Sequence, residues 1–485
     1  MLNLKDPSLL KQAIFVNGAW SVPTGCGWIE VTNPSTGELV GRVPKAGRKE
    51  TIEAIEGAEK AYKLWAARTA GERAKVVKRW YDLIVENADD LALILTAEQG
   101  KPLAEAKGEI LYGAAFFEWF AEEAKRVYGE LLPAAQPGQR LLVLRQPIGV
   151  CAAITPWNFP MAMIPRKAAP AIAAGCSMVL KPASATPFSA LALAELGQRA
   201  GLPAGVFSVV TGAAGEVGDE LSTHPLVRKV TFTGSTEVGR SLMAKAAGTI
   251  KKVALELGGN APLIIFDDAD IDVAVSGAMA SKFRNMGQTC VCANRIYVQS
   301  GIHDRFVERF AEAVAALKVG DGQEPGVQQG PLIDEAAVLK VQQHIEDALA
   351  LGARVVTGGH RHALGQTFFE PTVLADVTAN MRIAVEETFG PVAPVFRFET
   401  EAEVIAAAND TEFGLAAYFF TRDNGRVWRV SEALEVGIVG VNTGATSYEG
   451  APFGGVKSSG IGREGSHHAI EEFTELKYVC VAQVS

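Results

Sequence analysis

Two cysteines separated by a single valine raise the possibility of covalent chemistry. Cys290 and Cys292 lie in GQTCVCANR, in a 485-residue chain that has only six cysteines. Zinc binding is disfavoured because no second CxxC or HxxxH pair lies nearby. None of the seven histidines lies in a motif that indicates pairing with a thiol. The pattern therefore leaves two main alternatives for Cys290, a small buried side chain or an accessible, stabilised thiolate that acts as a nucleophile.

A carboxylate and an amide elsewhere in the chain are suited to acyl chemistry. Glu256 ends the apolar stretch of VALELGGN, where burial would raise its pKa and suit a general base. An ion-paired or helix-capping glutamate is the alternative. Asn158 lies in TPWNFP, and its side-chain NH₂ could donate to a developing oxyanion. A turn asparagine is the commoner interpretation of such a position.

Two further motifs have features of a dinucleotide site. FTGSTEVG follows an apolar run and opens a helical pattern, so its amides could hold a phosphate, although it is not a GxGxxG sequence. VLKPASATP places Lys181 and Ser184 at the end of a predicted strand. An acidic residue there would repel a 2′-phosphate, whereas serine and lysine leave room and positive charge for it. The alternatives are a surface amine for Lys181 and a helix N-cap for Ser184.

These residues follow short apolar runs that alternate with helical stretches. Residues 51–126 have helical spacing, and strand and helix patterns then alternate from Gly149 to about Val441. This alternation predicts an α/β protein with parallel, doubly wound sheets, which bind ligands beyond the carboxyl ends of their strands. Residues 131–144 and 474–485 have the look of strands, and we expect the terminal strand to pair across a subunit interface.

The overall composition predicts a sizeable core and disfavours several kinds of partner. The chain is 48% hydrophobic and 21% charged, and its length predicts two or three domains. Its net charge of −9 argues against nucleic acid and acidic membranes. The N-terminus lacks the pattern of a signal peptide, no apolar run is long enough for a membrane span, and the few cysteines indicate reduced thiols. We therefore expect a cytoplasmic protein that acts on a small molecule and needs no metal.

Seven motifs together resemble the aldehyde dehydrogenase superfamily over essentially the whole chain. In the family's order they are PWNFP, VLKPASATP, FTGSTEVG, LELGGNAP, GQTC, EETFGP and PFGGVKSSGIGREG. KFRNMGQTCVCANR and the C-terminal ELKYVC look most like the succinate-semialdehyde dehydrogenase branch. The resemblance implies a homodimer or homotetramer. It also implies a Rossmann-like NAD(P)-binding domain, an α/β catalytic domain and a β oligomerisation arm. The cofactor domain would cover residues 1–127 and 146–255, and residues 446–470 would return to it. The catalytic domain would cover residues 256–445. The arm would cover residues 128–145 and 471–485.

The resemblance also implies roles for individual residues. Cys290 would attack an aldehyde, Asn158 would hold the oxyanion, and Glu256 would activate the water that hydrolyses the thioester. Relatives that make acyl-CoA lack this glutamate, so a free acid is the expected product. The cofactor would be NADP or NAD, with NADP favoured by Ser184. The cofactor-binding positions implied are Trp157, Lys181, Ser184, Gly234, Ser235, Leu257, Glu387 and Phe389.

The substrate that the branch implies is a semialdehyde with a carboxylate, above all succinate semialdehyde. Arg166, Arg284 and Ser447 match its carboxylate-binding positions, and arginine suits a carboxylate by bidentate pairing. A surface ion pair is the alternative for each arginine. Three loop residues differ from those usual in the branch: Ala445, Thr446 and Tyr448. Glutarate semialdehyde, 2-oxoglutarate semialdehyde and an aromatic aldehyde are therefore alternative substrates, and a cofactor-free cysteine hydrolase is a remote alternative. A Cys290–Cys292 disulfide that reversibly masks the nucleophile is a further hypothesis.

Overall fold

The computed structural model describes residues 2–482, so residue 1 of the predicted cofactor domain and residues 483–485 of the predicted arm lie outside the described residues. Its strands, numbered in chain order, are β1 (Ile14–Val16), β2 (Ala19–Ser21), β3 (Gly27–Thr32), β4 (Leu39–Lys45), β5 (Glu130–Leu132), β6 (Arg140–Pro147), β7 (Val150–Ile154), β8 (Ser177–Lys181), β9 (Phe207–Val209), β10 (Val227–Thr233), β11 (Lys252–Glu256), β12 (Ala261–Ile265), β13 (Ala293–Gln299), β14 (Arg354–Thr357), β15 (Thr372–Ala375), β16 (Val392–Phe398), β17 (Phe413–Gly414), β18 (Ala416–Phe420), β19 (Ile438–Val441), β20 (Val456–Lys457), β21 (Gly460–Ile461) and β22 (Thr474–Val481).

The α-helices of the same residues are α1 (Arg48–Ala66), α2 (Ala70–Glu86), α3 (Ala88–Gln99), α4 (Leu103–Glu123), α5 (Pro165–Ala174), α6 (Phe188–Arg199), α7 (Ala214–Thr223), α8 (Thr236–Ala247), α9 (Ile271–Lys282), α10 (His303–Ala315), α11 (Glu335–Ala350), α12 (Arg382–Val385), α13 (Glu401–Asn409), α14 (Asn424–Ala433) and α15 (His468–Glu471). Between residues 2 and 482, none of these helices combines the length and the apolar character needed to cross a membrane.

The larger sheet has the strand order β2-β1-β9-β8-β7-β10-β11-β21. Its strands from β9 to β11 are parallel, whereas β1 and β21 join antiparallel. Alternate side chains of β7 belong to different apolar clusters, because neighbouring residues of a strand point to opposite faces. Val150 and Ala152 pack with α1 and α7, while Cys151 and Ala153 pack with α2, α5 and α6. Helices thus cover both faces, as the alternating sequence pattern predicted.

The second sheet has the order β14-β15-β16-β13-β12-β18-β19 and is parallel from β15 to β19. Its central strand β12 is buried throughout, and two apolar clusters cover its two faces. The two sheets together confirm the predicted α/β class.

A third, antiparallel sheet has the order β22-β6-β5. β22 pairs with β6 of its own chain, and the expectation that the terminal strand pairs across a subunit interface stays a prediction. The register joins Thr474 to Pro147 and continues without a break to Val481 and Arg140. This ladder satisfies one edge of β22 within the chain.

Candidate active site

The site lies where strands of the larger sheet end and loops of the second sheet approach them. A cavity of about 270 Å³ is formed there by segments that follow β7, β10 and β11 and by the loops before β13 and after α12. Ligands of parallel sheets bind at the carboxyl ends of strands. The residues that line the cavity are Pro156, Trp157, Asn158, Met163, Thr233, Gly234, Ser235, Glu256, Leu257, Gly258, Cys290, Lys340, Glu387 and Phe389.

Cys290 is partly exposed at this cavity, in a turn closed by the Cys292 N–H donating to the Thr289 carbonyl at 3.0 Å. Burial of the thiol, opposed by Arg166 and reinforced by the neighbouring carboxyl groups, raises the pKa of Cys290 to about 12. The free thiol is therefore protonated near neutral pH, and its reactivity depends on the charges placed beside it.

The Asn158 side chain is fixed by the turn that carries the cysteine. Its Nδ2 donates to the Gln288 carbonyl at 2.9 Å, which leaves the second N–H of the amide for another acceptor. The Asn158 backbone carbonyl accepts from Lys101 Nζ at 2.8 Å and from Asn285 Nδ2 at 2.9 Å. An amide held in this way is suited to binding an oxyanion without reorganising.

The sequence analysis did not select three residues that support Asn158: Lys101, its ion-pair partner Glu109, and Asn285. Lys101 forms an ion pair with Glu109 in which both side chains are 1% exposed. Glu109 also accepts from the N–H groups of Met161 and Ala162, just after Asn158. This buried pair anchors the loop that carries the amide, and nothing local in the sequence marks it.

Glu256 ends β11 and is 4% exposed. Its Oε2 has no hydrogen-bond partner among residues 2–482. Burial raises the pKa of Glu256 well above its usual range, and Glu464 raises it further, while Arg166 and Lys167 oppose the shift. Among the described residues Glu256 is thus neither ion-paired nor a helix cap, and it lines the cavity that also holds Cys290.

Glu464 has the opposite environment, although it is also buried. It forms an ion pair with Arg166, whose Nε lies 2.7 Å from Glu464 Oε2, and another with Lys167. Burial alone would raise the pKa of Glu464, but the two cations hold it below its usual value. Glu464 thus neutralises charge that would otherwise be isolated beside Glu256.

Aromatic rings and a carboxyl group form the outer part of the cavity. The Trp157 and Phe389 rings meet edge to face, with centroids 5.6 Å apart. Glu387 Oε1 accepts from the Gly259 N–H at 3.2 Å, and burial raises the pKa of Glu387 to about 7. Lys340, which the sequence analysis did not select, lines the same cavity and donates to the Glu387 carbonyl at 2.5 Å.

Lys181 ends β8 and Ser184 follows it, and neither is among the residues that line this cavity. Lys181 is buried rather than a surface amine, and its Nζ donates to the Pro182 carbonyl at 3.1 Å. Burial lowers the pKa of Lys181 to about 8, with no carboxylate pairing among the described residues to oppose it. Ser184 is exposed, and it does not cap α6 because the capping position is Pro187.

The groups around β10 and α8 fit a dinucleotide. Ser235 caps α8, whose N-terminal amides open towards the cavity that Gly234 and Leu257 also line. A Cβ on Gly234 would come within 2.4 Å of the Phe232 ring, so the close turn requires glycine. Backbone amides at a helix N-terminus suit a pyrophosphate, and the buried Lys181 suits ribose oxygens or a phosphate.

A second group of side chains, outside the cavity lining, surrounds Tyr112 and includes Arg166, which lies beside Cys290. Arg166 is buried and its guanidinium lies 3.8 Å from the centroid of the Phe453 ring, whereas Arg284 is half-buried and lies 4.9 Å from that of Phe159. Ser447 is also half-buried and belongs to the loop after β19. Both arginines and Ser447 meet at Tyr112, which the sequence analysis missed. Burial raises the pKa of Tyr112, while the two arginines and the neighbouring Ser447 hydroxyl oppose the shift.

Cys292 is fully buried, and its thiol donates to the Lys282 carbonyl at 3.5 Å. Both Cys290 and Cys292 are free. A disulfide between them would have to break the contact with Lys282, so the redox pair stays a prediction.

Several known proteins are similar to this chain in sequence and fold. Residues 20–479 match the aldehyde dehydrogenase family. The chain is 63% identical to the glutarate-semialdehyde dehydrogenase of Pseudomonas aeruginosa, with all of both chains covered, and 63% identical to the succinate-semialdehyde dehydrogenase [NADP(+)] GabD of Escherichia coli, covering 99% of this chain and 100% of that one. A 3-sulfolactaldehyde dehydrogenase of Pseudomonas putida is 62% identical, again over all of both chains. The crystal structure of an E. coli NADP-dependent enzyme superposes with a TM-score of 0.98 at 62% identity, covering 99% of this chain and 100% of that one. This chain therefore belongs to the aldehyde dehydrogenase family, whose enzymes use NAD⁺ or NADP⁺, and is an aldehyde dehydrogenase.

Proposed function

We propose that the enzyme oxidises a semialdehyde with an anionic far end to the corresponding acid, using NADP⁺ or NAD⁺. Succinate semialdehyde is the first candidate substrate. Glutarate semialdehyde is the second, because relatives named for each substrate are equally similar to this chain. The observation that carries the proposal is that Cys290, Asn158 and Glu256 line one cavity, while Arg166 lies beside the same cysteine and meets Arg284 at Tyr112.

In the first step, Cys290 Sγ loses its proton to solvent water, and the thiolate forms a bond to the aldehyde carbon. The carbonyl π electrons move to oxygen, and the product is a thiohemiacetal oxyanion. The free N–H of Asn158 Nδ2 and the Cys290 backbone N–H hold this oxygen. Donors fixed before the reaction stabilise developing charge without the cost of reorienting.

In the second step, the oxyanion re-forms a C=O bond as hydride leaves the carbon, which produces a thioester on Cys290. When bound, NAD(P)⁺ supplies the acceptor for that hydride. Glu256 then takes a proton from water, which attacks the thioester carbon and releases the acid and the Cys290 thiolate. A carboxyl group with a raised pKa and an unpartnered oxygen is suited to this proton transfer.

The two arginines have different roles in this proposal. Arg284 makes no ion pair with the other described residues and directly attracts the far carboxylate of the substrate, with Tyr112 and Ser447 as hydrogen-bond donors. Arg166 is already paired with Glu464, so it stabilises the thiolate of Cys290 and adds a weaker attraction for the substrate. On the cofactor side, Ser184 and Lys181 permit a 2′-phosphate, and we propose that NADP⁺ is used.

A panel of aldehydes against both cofactors tests the function. Succinate semialdehyde, glutarate semialdehyde, 2-oxoglutarate semialdehyde, 3-sulfolactaldehyde and an aromatic aldehyde are compared by kcat/KM with NADP⁺ and with NAD⁺. We expect an anionic semialdehyde to give the largest value and Cys290→Ala to abolish turnover. Highest kcat/KM with the aromatic aldehyde contradicts the proposed substrate class, and full activity of Cys290→Ala contradicts the mechanism.

We also propose the domain roles that the family resemblance implied. The larger sheet belongs to a cofactor domain, residues 1–127 and 146–255, and the second sheet to a catalytic domain, residues 256–445. The sheet β22-β6-β5 belongs to an arm that joins copies of the chain. The arm's exposed apolar side chains support this role: Leu131, Leu144, Leu476 and Tyr478. Light scattering should give a dimer or tetramer, and Leu476→Glu should shift it to smaller species; a wild-type monomer contradicts the proposal.

A further inference from the structure

Side chains from distant parts of the chain hold the carbonyl groups on both sides of Cys290. The Gln288 carbonyl accepts from Asn158 Nδ2, as described above. The Val291 carbonyl, in the peptide between Val291 and Cys292, accepts from the Tyr418 hydroxyl at 2.8 Å. Tyr418 belongs to β18 and is 1% exposed, so no water competes for this hydrogen bond. The N–H of the same peptide donates to the Thr289 carbonyl at 3.0 Å, and the Thr289–Cys290 peptide carries the Cys290 N–H. A tyrosine 127 residues away thus holds the turn that carries the nucleophile.

The same tyrosine also contacts the loop after β19, which carries Ser447. Burial raises the pKa of Tyr418, while the neighbouring hydroxyl groups of Thr446 and Ser281 oppose the shift. A Cβ on Gly440 would lie 2.7 Å from the Tyr418 ring and 2.9 Å from the Thr446 methyl group. The ring and the threonine therefore pack on one patch of backbone, which only glycine leaves free.

We propose that Tyr418 is a positioning residue that links the Cys290 turn to the loop residue Thr446. Its hydroxyl donates to the Val291 carbonyl, and we infer that it also accepts from the Thr446 hydroxyl, because the Thr446 methyl group packs at the same patch as the ring. One group would then set both positions. By holding the Val291–Cys292 peptide, whose N–H donates to the Thr289 carbonyl, Tyr418 fixes the direction of the Cys290 N–H and the distance from Cys290 Sγ to Arg166. The inference rests on the proposed role of Cys290 as the nucleophile.

The first test replaces the hydroxyl alone. In Tyr418→Phe the buried Val291 carbonyl loses its donor, and we expect kcat to fall about tenfold with KM changed less than about twofold. Alkylation of Cys290 by iodoacetamide should also move to higher pH, because the thiol loses its fixed position beside Arg166. Tyr297→Phe is the matched control, since Tyr297 is a buried tyrosine of β13 in the same sheet, and its hydroxyl faces Arg295.

The second test asks whether the two loops act through one hydroxyl. Thr446→Val keeps the methyl group and removes the hydroxyl, and we expect kcat/KM to fall about threefold, within the range of one hydrogen bond. Because Tyr418 is the shared partner, the double variant should lose no more than Tyr418→Phe alone.

Several outcomes would overturn the proposal. One is a Tyr418→Phe enzyme whose melting temperature falls but whose kcat and alkylation profile match those of Tyr297→Phe, since that result indicates a purely structural tyrosine. Fully additive losses in the double variant overturn the link between the loops. If Tyr418→Phe does not fold, an unchanged alkylation profile in Thr446→Val overturns it. Alkylation needs no substrate, so it decides this question even if the wild-type enzyme oxidises none of the semialdehydes and the proposed function fails.

Discussion

The charged groups on the proposed cofactor side of Cys290 differ from those on the proposed substrate side in whether they have a charged partner. On the cofactor side, Glu256 has an oxygen without a partner, Glu387 is held by one backbone amide, and Lys181 is buried without a carboxylate among the described residues. On the substrate side, Arg166 is neutralised by Glu464. Unpaired buried charges are costly unless a ligand or a reaction uses them, whereas paired charges are compatible with a permanent structural role. The comparison predicts which variants damage chemistry and which damage the fold.

The largest effect should come from the unpaired carboxyl group. Glu256→Gln cannot take a proton from water, so we expect steady-state turnover to fall by a factor of about 10²–10⁴. Thioester formation should persist, so a rapid burst of about one NADPH per active site should precede the slow phase in stopped-flow absorbance. Glu412→Gln, which alters an exposed ion pair with Arg240, is the control. Unchanged turnover would show that another group activates the water.

The two arginines should separate substrate binding from stability. Arg284→Leu should raise KM for the semialdehyde by a factor of about 10–100, because a charge-assisted hydrogen bond contributes about 1.5–3 kcal/mol. An uncharged aldehyde of the same length should keep its KM. Arg166→Leu should instead destabilise the fold by about 3–5 kcal/mol in chemical denaturation, because Glu464 loses a buried partner. Equal losses of stability in both variants would remove the distinction between a paired and a free arginine.

The cysteine between the two sides should react faster as pH rises. The pKa of Cys290 is about 12, so the thiolate fraction, and with it the iodoacetamide rate of the free enzyme, should increase about tenfold for each pH unit from about 7 to 10. Mass spectrometry of the alkylated peptide, with Cys290→Ala as the blank, measures this rate. A plateau below about pH 9 would mean that cations beside the thiol outweigh its burial.

The sequence could predict those parts of the fold and the site that depend on the local pattern of apolar and polar residues. Gly234 and Glu256 follow buried apolar runs, and parallel strands bring such positions to one edge of the sheet. Interactions between distant segments left no such signal. The Lys101–Glu109 ion pair and the Tyr418–Val291 hydrogen bond each join elements whose contact is set by tertiary packing. The burial of Lys181 could not be predicted either, because it depends on the distant segments that cover the end of β8. A surface amine therefore remained an alternative for this residue.

The smallest effect should come from Lys181. It distinguishes electrostatic attraction of the 2′-phosphate of NADP⁺ from a site that only leaves space for this phosphate. The pKa of Lys181 is lowered to about 8, so the side chain is charged at pH 7 and largely neutral at pH 9. If its charge attracts a 2′-phosphate, the ratio of kcat/KM with NADP⁺ to that with NAD⁺ should fall about fivefold over this range, equivalent to about 1 kcal/mol. Lys181→Met should give a low ratio that no longer depends on pH. A ratio that stays constant in the wild-type enzyme would mean that Lys181 binds only the ribose that both cofactors share, and Ser184 would then permit NADP⁺ by leaving space rather than by sitting beside a positive charge.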